Sequence, residues 1–66
     1  KLKQFKRAIQ DYDKAIELDS NNVASYFIRG VSSAYIGNMN NACSDWKKGC
    51  SLGSADSCEF QSKHCK

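Results

Sequence analysis

The sequence contains no proline and only four glycines among its 66 residues. Turn-rich β folds use both residue types at their many tight turns, so this composition argues against a loop-rich β protein. No apolar run is long enough for a membrane span or for the hydrophobic core of a secretion signal. The composition instead favours short helices, because Ala, Lys, Asp, Ser and Asn alternate with regularly spaced apolar residues.

The residue patterns of common catalytic sites are also missing. His64 is the single histidine, and no cysteine or carboxylate stands at a spacing that suggests a catalytic pair with it. No glycine-rich phosphate-binding loop occurs. The sequence therefore predicts a protein that is not an enzyme and that uses no cofactor, metal ion or small-molecule substrate.

A chain of 66 residues forms at most one small domain. Such a domain buries only about 60% of the surface of its unfolded form, and it is marginal without a covalent staple or a neighbouring protein. The chain begins at Lys1 rather than at Met, and we expect it to be a piece of a longer protein. Its net charge of +3 comes from scattered Lys and Arg without interleaved exposed aromatic residues, which argues against nucleic-acid binding.

Apolar residues recur at three- and four-residue steps near the start of the chain, as in a helix that is buried on one face. This pattern predicts a helix over 1–18 whose apolar stripe contains Phe5, Ala8, Ile9, Tyr12, Ala15 and Ile16. The polar DSNN segment at 19–22 is rich in N-cap residues, and it is predicted to separate the first helix from a second one over 23–36.

Two further helices are predicted. The second helix ends before Gly37 and a third, over 40–51, ends before Gly53, since glycine suits the left-handed conformation after a helix. Ser54 is the expected N-cap of a fourth helix over 55–65. Its predicted stripe contains Cys58, Phe60, Ser62 and Cys65. The predicted fold class is all-α, built from antiparallel helical hairpins with short connections.

An internal repeat runs through the chain. A shift of 34 residues superposes AIQDYDKAIELDS at 8–20 on ACSDWKKGCSLGS at 42–54, and it aligns Tyr12 with Trp46. This period is the spacing of tetratricopeptide helix–turn–helix repeats. On these residues and on ASYFIRGVSSAYIGNMN between them, nearly the whole chain resembles the tetratricopeptide repeat family.

The resemblance implies a tetratricopeptide-type α-solenoid. It assigns 1–20 to the second helix of a preceding repeat, 21–54 to one complete repeat and 55–66 to a C-terminal capping helix. It places Tyr26 at the start of the first helix of the complete repeat, Gly30 and Ala42 where the paired helices touch, and Trp46 between neighbouring repeats. The chain departs from the family pattern at Arg29, Ser33, Gly49, Ser20 and Ser54.

The resemblance also implies a function. In this family the first helices of successive repeats line a concave groove that holds a peptide or a segment of a partner protein, so the chain is expected to be a scaffold or protein-binding module. The groove-facing residues carried over are Ala24, Phe27, Val31, Ala34 and Tyr35. For Ala24, Phe27 and Val31 the alternative is ordinary core packing against the first helix. The apolar stripe of the first helix also suggests self-association.

The four cysteines are regularly spaced. Cys43 and Cys50 are seven residues apart, as are Cys58 and Cys65, so each pair lies on one helix face. In a hairpin that turns near Gly53, Cys50 faces Cys58 and Cys43 faces Cys65. These two facing pairs are separated by about 10 Å at a rise of about 1.5 Å per residue, which excludes one zinc site built from all four thiolates.

The sequence does not decide whether the four cysteines form disulfides or are free thiols. The 34-residue shift aligns every cysteine with an apolar residue, which favours free thiols that pack as small apolar side chains. Cysteine-bearing members of the resembled family close inter-helix turns with pairs spaced like Cys50 and Cys58, which favours a bridge.

The expected cellular compartment depends on whether the cysteines are oxidised. Without a visible secretion signal we favour reduced thiols and a cytoplasmic location, whereas disulfides would indicate the periplasm or the cell exterior. The alternative function is a disulfide-stapled helical hairpin with a structural or redox-responsive role.

Overall fold

The computed structural model describes residues 2–65, with side chains from residue 4 onward, as four α-helices. Helix α1 spans Leu2–Leu18, α2 spans Val23–Tyr35, α3 spans Met39–Ser51 and α4 spans Ala55–His64. The predicted all-α class is therefore confirmed for the described part of the chain, and the predicted helix ends there agree with the observed ones to one residue. The predicted helix start at Lys1 and the end of the predicted cap at Lys66 lie outside the described residues.

Short polar side chains begin three of the helices. The side-chain oxygens of Asn22, Asn38 and Ser54 each accept a hydrogen bond from the backbone N–H three residues further along, at 3.1 to 3.3 Å. Such N-caps satisfy an N–H group that has no partner inside the helix. The predicted cap at Ser54 is confirmed, and the DSNN segment supplies its last residue, Asn22, as the cap of α2.

Glycines end two helices, as the sequence predicts. Gly37 follows α2 with φ at 85°, and Gly53 follows α3 with φ at 108°. Residues with a Cβ adopt this left-handed backbone at a steric cost, which glycine avoids. Because these turns are short, α3 folds back on α2, and α4 folds back on α3.

Each helix packs on the next one in the chain, and α2 also touches α4. The principal dimensions of 27 × 26 × 14 Å describe a flat array of helices. The array is tightest between α2 and α3, where Tyr26, Ala42 and Trp46 are the buried apolar residues. A Cβ at Gly30 would lie 2.5 Å from Nε1 of Trp46, so glycine lets the indole lie directly against the α2 backbone.

The predicted stripe of α4 is right at Cys58, Phe60 and Cys65, which contact α3, and wrong at Ser62. Ser62 is exposed, whereas Ser57 is fully buried next to Gly49. The predicted stripe took two-residue steps from Cys58 through Phe60 to Ser62, and two residues turn a helix by about 200°. Ser57 and His64, at three- and four-residue steps from Phe60, also contact α3.

Helix α1 is covered less than the others. All six residues of its predicted stripe are half-buried and none is fully buried, and Leu18 at its end is exposed. Its contacts with α2 cover part of the stripe. The expected self-association through this face stays a prediction.

Candidate functional site

An open apolar cavity of about 540 Å³ lies where α2, the start of α3 and the end of α4 meet. We call this cavity the apolar groove. The residues that line it are Phe27, Val31, Ala34, Tyr35, Met39, Trp46, Phe60 and His64. Its size is within the range of small-ligand and side-chain pockets, and its lining is dominated by apolar and aromatic side chains, as in most such pockets.

One face of α2 forms the longest wall of the apolar groove. Phe27, Val31, Ala34 and Tyr35 follow one another at steps of four, three and one, which brings them onto one side of the helix. The residues Tyr26, Gly30 and Ser33 are buried instead. Helix α2 can therefore bind α3 with one face while it offers another to the groove.

Two aromatic side chains form the floor of the apolar groove. Trp46 is only 1% exposed, and its Nε1 donates a hydrogen bond of 3.3 Å to the carbonyl oxygen of Phe27. The ring of Phe60 meets Trp46 and Phe27 edge-on, with centroids 5.3 and 5.0 Å away. Edge-to-face pairs of this kind stabilise by about 0.5–1.5 kcal/mol beyond area burial. Phe60 thus joins α4 to both α2 and α3.

The rim of the apolar groove is accessible to solvent. Tyr35 is 67% exposed and Met39 is 42% exposed. The ring of Tyr35 stacks on Phe5 of α1, with centroids 4.8 Å apart and planes 10° apart. The exposed ring of His64 lies 5.5 Å from Phe60 and 5.7 Å from Trp46. An incoming apolar side chain would reach the floor between these rim residues.

Four of the five predicted groove residues line this cavity: Phe27, Val31, Ala34 and Tyr35. Ala24 does not line it, because it is exposed one turn before Phe27. The ring of Phe27 packs on Phe60 of α4. A role of these residues in partner binding stays a prediction.

Sequence reasoning missed four lining residues because it assigned the groove to α2 alone. They are Met39, Trp46, Phe60 and His64, of which Trp46 was predicted only to be buried between repeats. One signal could have found two of them. Phe60 and His64 are four residues apart, so they share a face of α4. Both rings contact Trp46, which the sequence predicts to be buried, and these contacts bring that face into the groove.

All four cysteines are paired in two disulfides, Cys43–Cys65 and Cys50–Cys58. The Cα atoms are 5.7 Å apart in the first pair and 4.5 Å apart in the second. The preference for free thiols is therefore corrected. Because α3 and α4 run antiparallel about Gly53, each cysteine of α3 faces one of α4 at a distance that a disulfide spans.

A polar cleft of about 320 Å³ lies between α1, α2 and α3, away from the apolar groove. Arg29 of α2 sits in it and pairs with both Asp45 of α3 and Asp13 of α1. The hydrogen bonds to Asp45 raise the pKa of the Arg29 guanidinium, burial lowers it, and Asp13 raises it further; the net change is upward. Arg29 is therefore charged throughout the physiological pH range.

The carboxylates of α1 differ in their ion-pair partners. Asp13 pairs with Arg29 rather than with a lysine on its own helix, whereas Glu17 does pair locally with Lys14, at 3.5 Å. Arg29 departs from the tetratricopeptide pattern, and Asp45 and Asp13 supply the partners that this departure requires. The polar cleft thus holds one guanidinium between two carboxylates, all three of them in ion pairs.

Within residues 2–65, no three His, Cys, Asp or Glu side chains are grouped so that they could hold a metal ion. The helices described here include none with the length and apolar character needed to cross a membrane.

Comparisons with protein-family models, with curated proteins and with solved structures find no match to this chain. The resemblance to tetratricopeptide repeats therefore stays a prediction from the sequence.

Proposed function

We propose that the chain is a non-catalytic protein-interaction module of the tetratricopeptide type, which holds an apolar segment of a peptide or partner protein in the apolar groove. The observation that carries this proposal is a solvent-open cavity of about 540 Å³ with an aromatic floor. A well-formed apolar cavity with aromatic lining is the usual form of a binding site in proteins.

The tetratricopeptide part of the proposal is supported by the repeat and by the packing. The sequence repeats with a period of 34 residues. Small residues lie where neighbouring helices touch, with Gly30 against Trp46 and Gly49 against Ser57. We assign residues 1–20 to the end of one repeat, 21–54 to a complete repeat and 55–66 to a cap. This division puts Phe60 and His64 on the cap and the other lining residues in the complete repeat.

The chemistry of the lining suggests what the partner offers. Among the residues that the structure describes, no carboxylate lines the apolar groove, and the indole N–H of Trp46 already donates to the carbonyl oxygen of Phe27. Burying one Leu-, Ile- or Phe-sized side chain contributes about 1.5–3 kcal/mol. Because one such anchor binds weakly, we expect a peptide that places two or more apolar side chains along α2.

The proposal is tested by selecting binders from a displayed random-peptide library with the oxidised protein. The peptides obtained are then titrated against Tyr35→Ala and Met39→Ala, which remove exposed rim side chains without opening the core. We expect each substitution to weaken binding by about tenfold, equivalent to about 1.4 kcal/mol. Helix content, measured by circular dichroism, should stay unchanged.

The matched control is Ile28→Ala. Ile28 lies on the same helix and is 39% exposed, but it does not line the apolar groove. Its substitution should change the affinity by less than about twofold. Failure to select any binder, or equal weakening by all three substitutions, would show that the groove is not a binding site.

A second candidate function is favoured by the two disulfides. In that case the chain is a stapled helical hairpin whose role is structural, and the groove is only a surface depression. Groove substitutions would then affect no binding partner, whereas removal of both bridges would unfold α3 and α4 together. The bridges also favour the periplasm or the cell exterior as the location.

A further inference from the structure

We propose that the Cys43–Cys65 disulfide is a redox latch that keeps the apolar groove assembled, so that its reduction releases the end of α4 and opens the groove. This inference rests on the proposed function of the groove. It assigns different roles to the two bridges, because they hold different ends of α4.

Helix α4 supplies one wall of the apolar groove. Phe60 lies edge-on against Trp46 and Phe27, and the ring of His64 lies beside those of Phe60 and Trp46. These two residues lie in the second half of α4. The groove therefore has its described shape only while that half of α4 stays on α3.

The first half of α4 is held in several ways. Ser54 caps it, Gly53 makes the preceding turn, Ser57 is buried against Gly49, and the Cys50–Cys58 bridge lies at the turn itself. A bridge between residues that the turn already brings together restrains little further motion. Loss of Cys50–Cys58 should leave most of α4 in place.

The second half of α4 has fewer attachments. Across residues 2–65, no hydrogen bond or ion pair joins a side chain of α4 to another helix; the ion pair of Lys63 is with Glu59 on the same helix. What holds this half are the aromatic contacts of Phe60 and His64 and the bond from Cys65 to Cys43. A helix of 10 residues is not stable alone in water, so its end depends on these contacts.

The chemical step is a thiol–disulfide exchange. A dithiol reductant attacks one sulfur, passes two electrons and two protons to the bridge, and leaves as its own cyclic disulfide; Cys43 and Cys65 become thiols. Both residues are half-buried rather than enclosed, so a small dithiol can reach them. Exchange with an excess of oxidised glutathione reverses the step.

The test compares two double variants of the full chain. Cys43→Ser/Cys65→Ser removes the latch and keeps the bridge at the turn, whereas Cys50→Ser/Cys58→Ser is the matched control that keeps the latch. Amide hydrogen exchange is followed along α4, α3 and α2 at one pH. Mass spectrometry first verifies that the remaining bridge is formed in each variant.

In the latch variant we expect the amides of Phe60, Gln61 and His64 to exchange at least about tenfold faster, while those of α2 and α3 change by less than about threefold. Dithiothreitol should produce the same local change in the control variant, because there it reduces only the latch. In the latch variant, dithiothreitol should raise the exchange rates of these three amides only slightly.

The inference is overturned if these amides exchange equally in the oxidised latch variant and in the parent. It is also overturned if all helices lose protection together, because the bridge would then be a staple for the whole fold. Peptide affinity is measured separately, with binders selected on the oxidised parent. If the amides of α4 exchange faster in the latch variant but its affinity for the peptides equals that of the parent, then α4 opens as proposed and the groove is not the binding site. The failure of this inference and the failure of the proposed function therefore give different results.

Discussion

Arg29 on α2 donates two hydrogen bonds to the buried carboxylate of Asp45 on α3, from Nε at 2.8 Å and from Nη2 at 2.6 Å. Its remaining nitrogen, Nη1, donates to Asp13 on α1 at 2.6 Å. The guanidinium also lies over the ring of Tyr26, at 5.6 Å from the centroid. One side chain thus connects three helices, because its planar donor groups point to both sides of α2.

Replacing Asp45 alone with Leu should lower the free energy of unfolding by about 2–3 kcal/mol, because Arg29 keeps its charge and loses its buried partner. The double variant Arg29→Leu/Asp45→Leu should differ from the parent by less than about 1 kcal/mol, since an apolar pair often replaces a buried ion pair without loss. Urea unfolding measures both values.

The control for this pair is Lys14→Ala, which removes an exposed ion pair with Glu17. It should change the free energy of unfolding by less than about 0.5 kcal/mol. If the double variant is as unstable as Asp45→Leu, then Arg29 does not depend on Asp45, and the interpretation fails.

Replacing Trp46 with Ala should destabilise the chain by about 3–5 kcal/mol, because a buried aromatic side chain leaves a large cavity. That loss is comparable with the whole stability of a domain of this size, so helix content at 25 °C should fall sharply. Circular dichroism during thermal unfolding measures it. Tyr35→Ala removes an exposed aromatic side chain and should cost less than about 1 kcal/mol; equal losses would contradict the buried position of Trp46.

Replacing Gly30 with Ala should destabilise the chain by about 1–3 kcal/mol, because the added Cβ would lie 2.5 Å from Nε1 of Trp46 and would push the indole away. The sign of the change in the free energy of unfolding is informative. Elsewhere in a helix the same change stabilises by about 0.8–1.0 kcal/mol. A more stable variant would show that α2 and α3 are not in close contact at Gly30.

Replacing Ser57 with Ala should raise the free energy of unfolding by about 0.5–1 kcal/mol. Among the described residues, the Oγ of Ser57 is fully buried and has no hydrogen-bond partner, and Ala also has the higher helix propensity. The midpoint of urea unfolding should move upward with an unchanged slope. The control is Ser62→Ala, which changes only helix propensity at an exposed site of α4. If it raises the free energy of unfolding as much as Ser57→Ala does, then the unpaired hydroxyl of Ser57 contributes nothing.

The helices could be predicted from the sequence because their signals are local. An apolar stripe of period 3.6, a capping Ser or Asn and a terminal glycine all lie within a few residues of the helix that they define. The same signals indicated Gly37 and Gly53 as turn residues. The facing cysteine pairs also followed, because seven residues on each helix make two turns.

The contacts between distant residues could not be predicted in the same way. Arg29 is 16 residues from both Asp13 and Asp45, and no periodic pattern links charges on three different helices. The contribution of Phe60 to the floor of the apolar groove was missed because the position of α4 depends on tertiary packing. The oxidation state of the cysteines was misjudged because spacing gives proximity and not the redox environment.

The position of Trp46 makes the unlabelled protein suitable for optical measurements. It is the only tryptophan of the chain, it is 1% exposed, and it touches the backbone of α2 and the rings of Phe60 and His64 on α4. Its fluorescence therefore arises from one site at the junction of three helices. A shift of its emission to longer wavelength signals water at that junction, before any dye or label is attached.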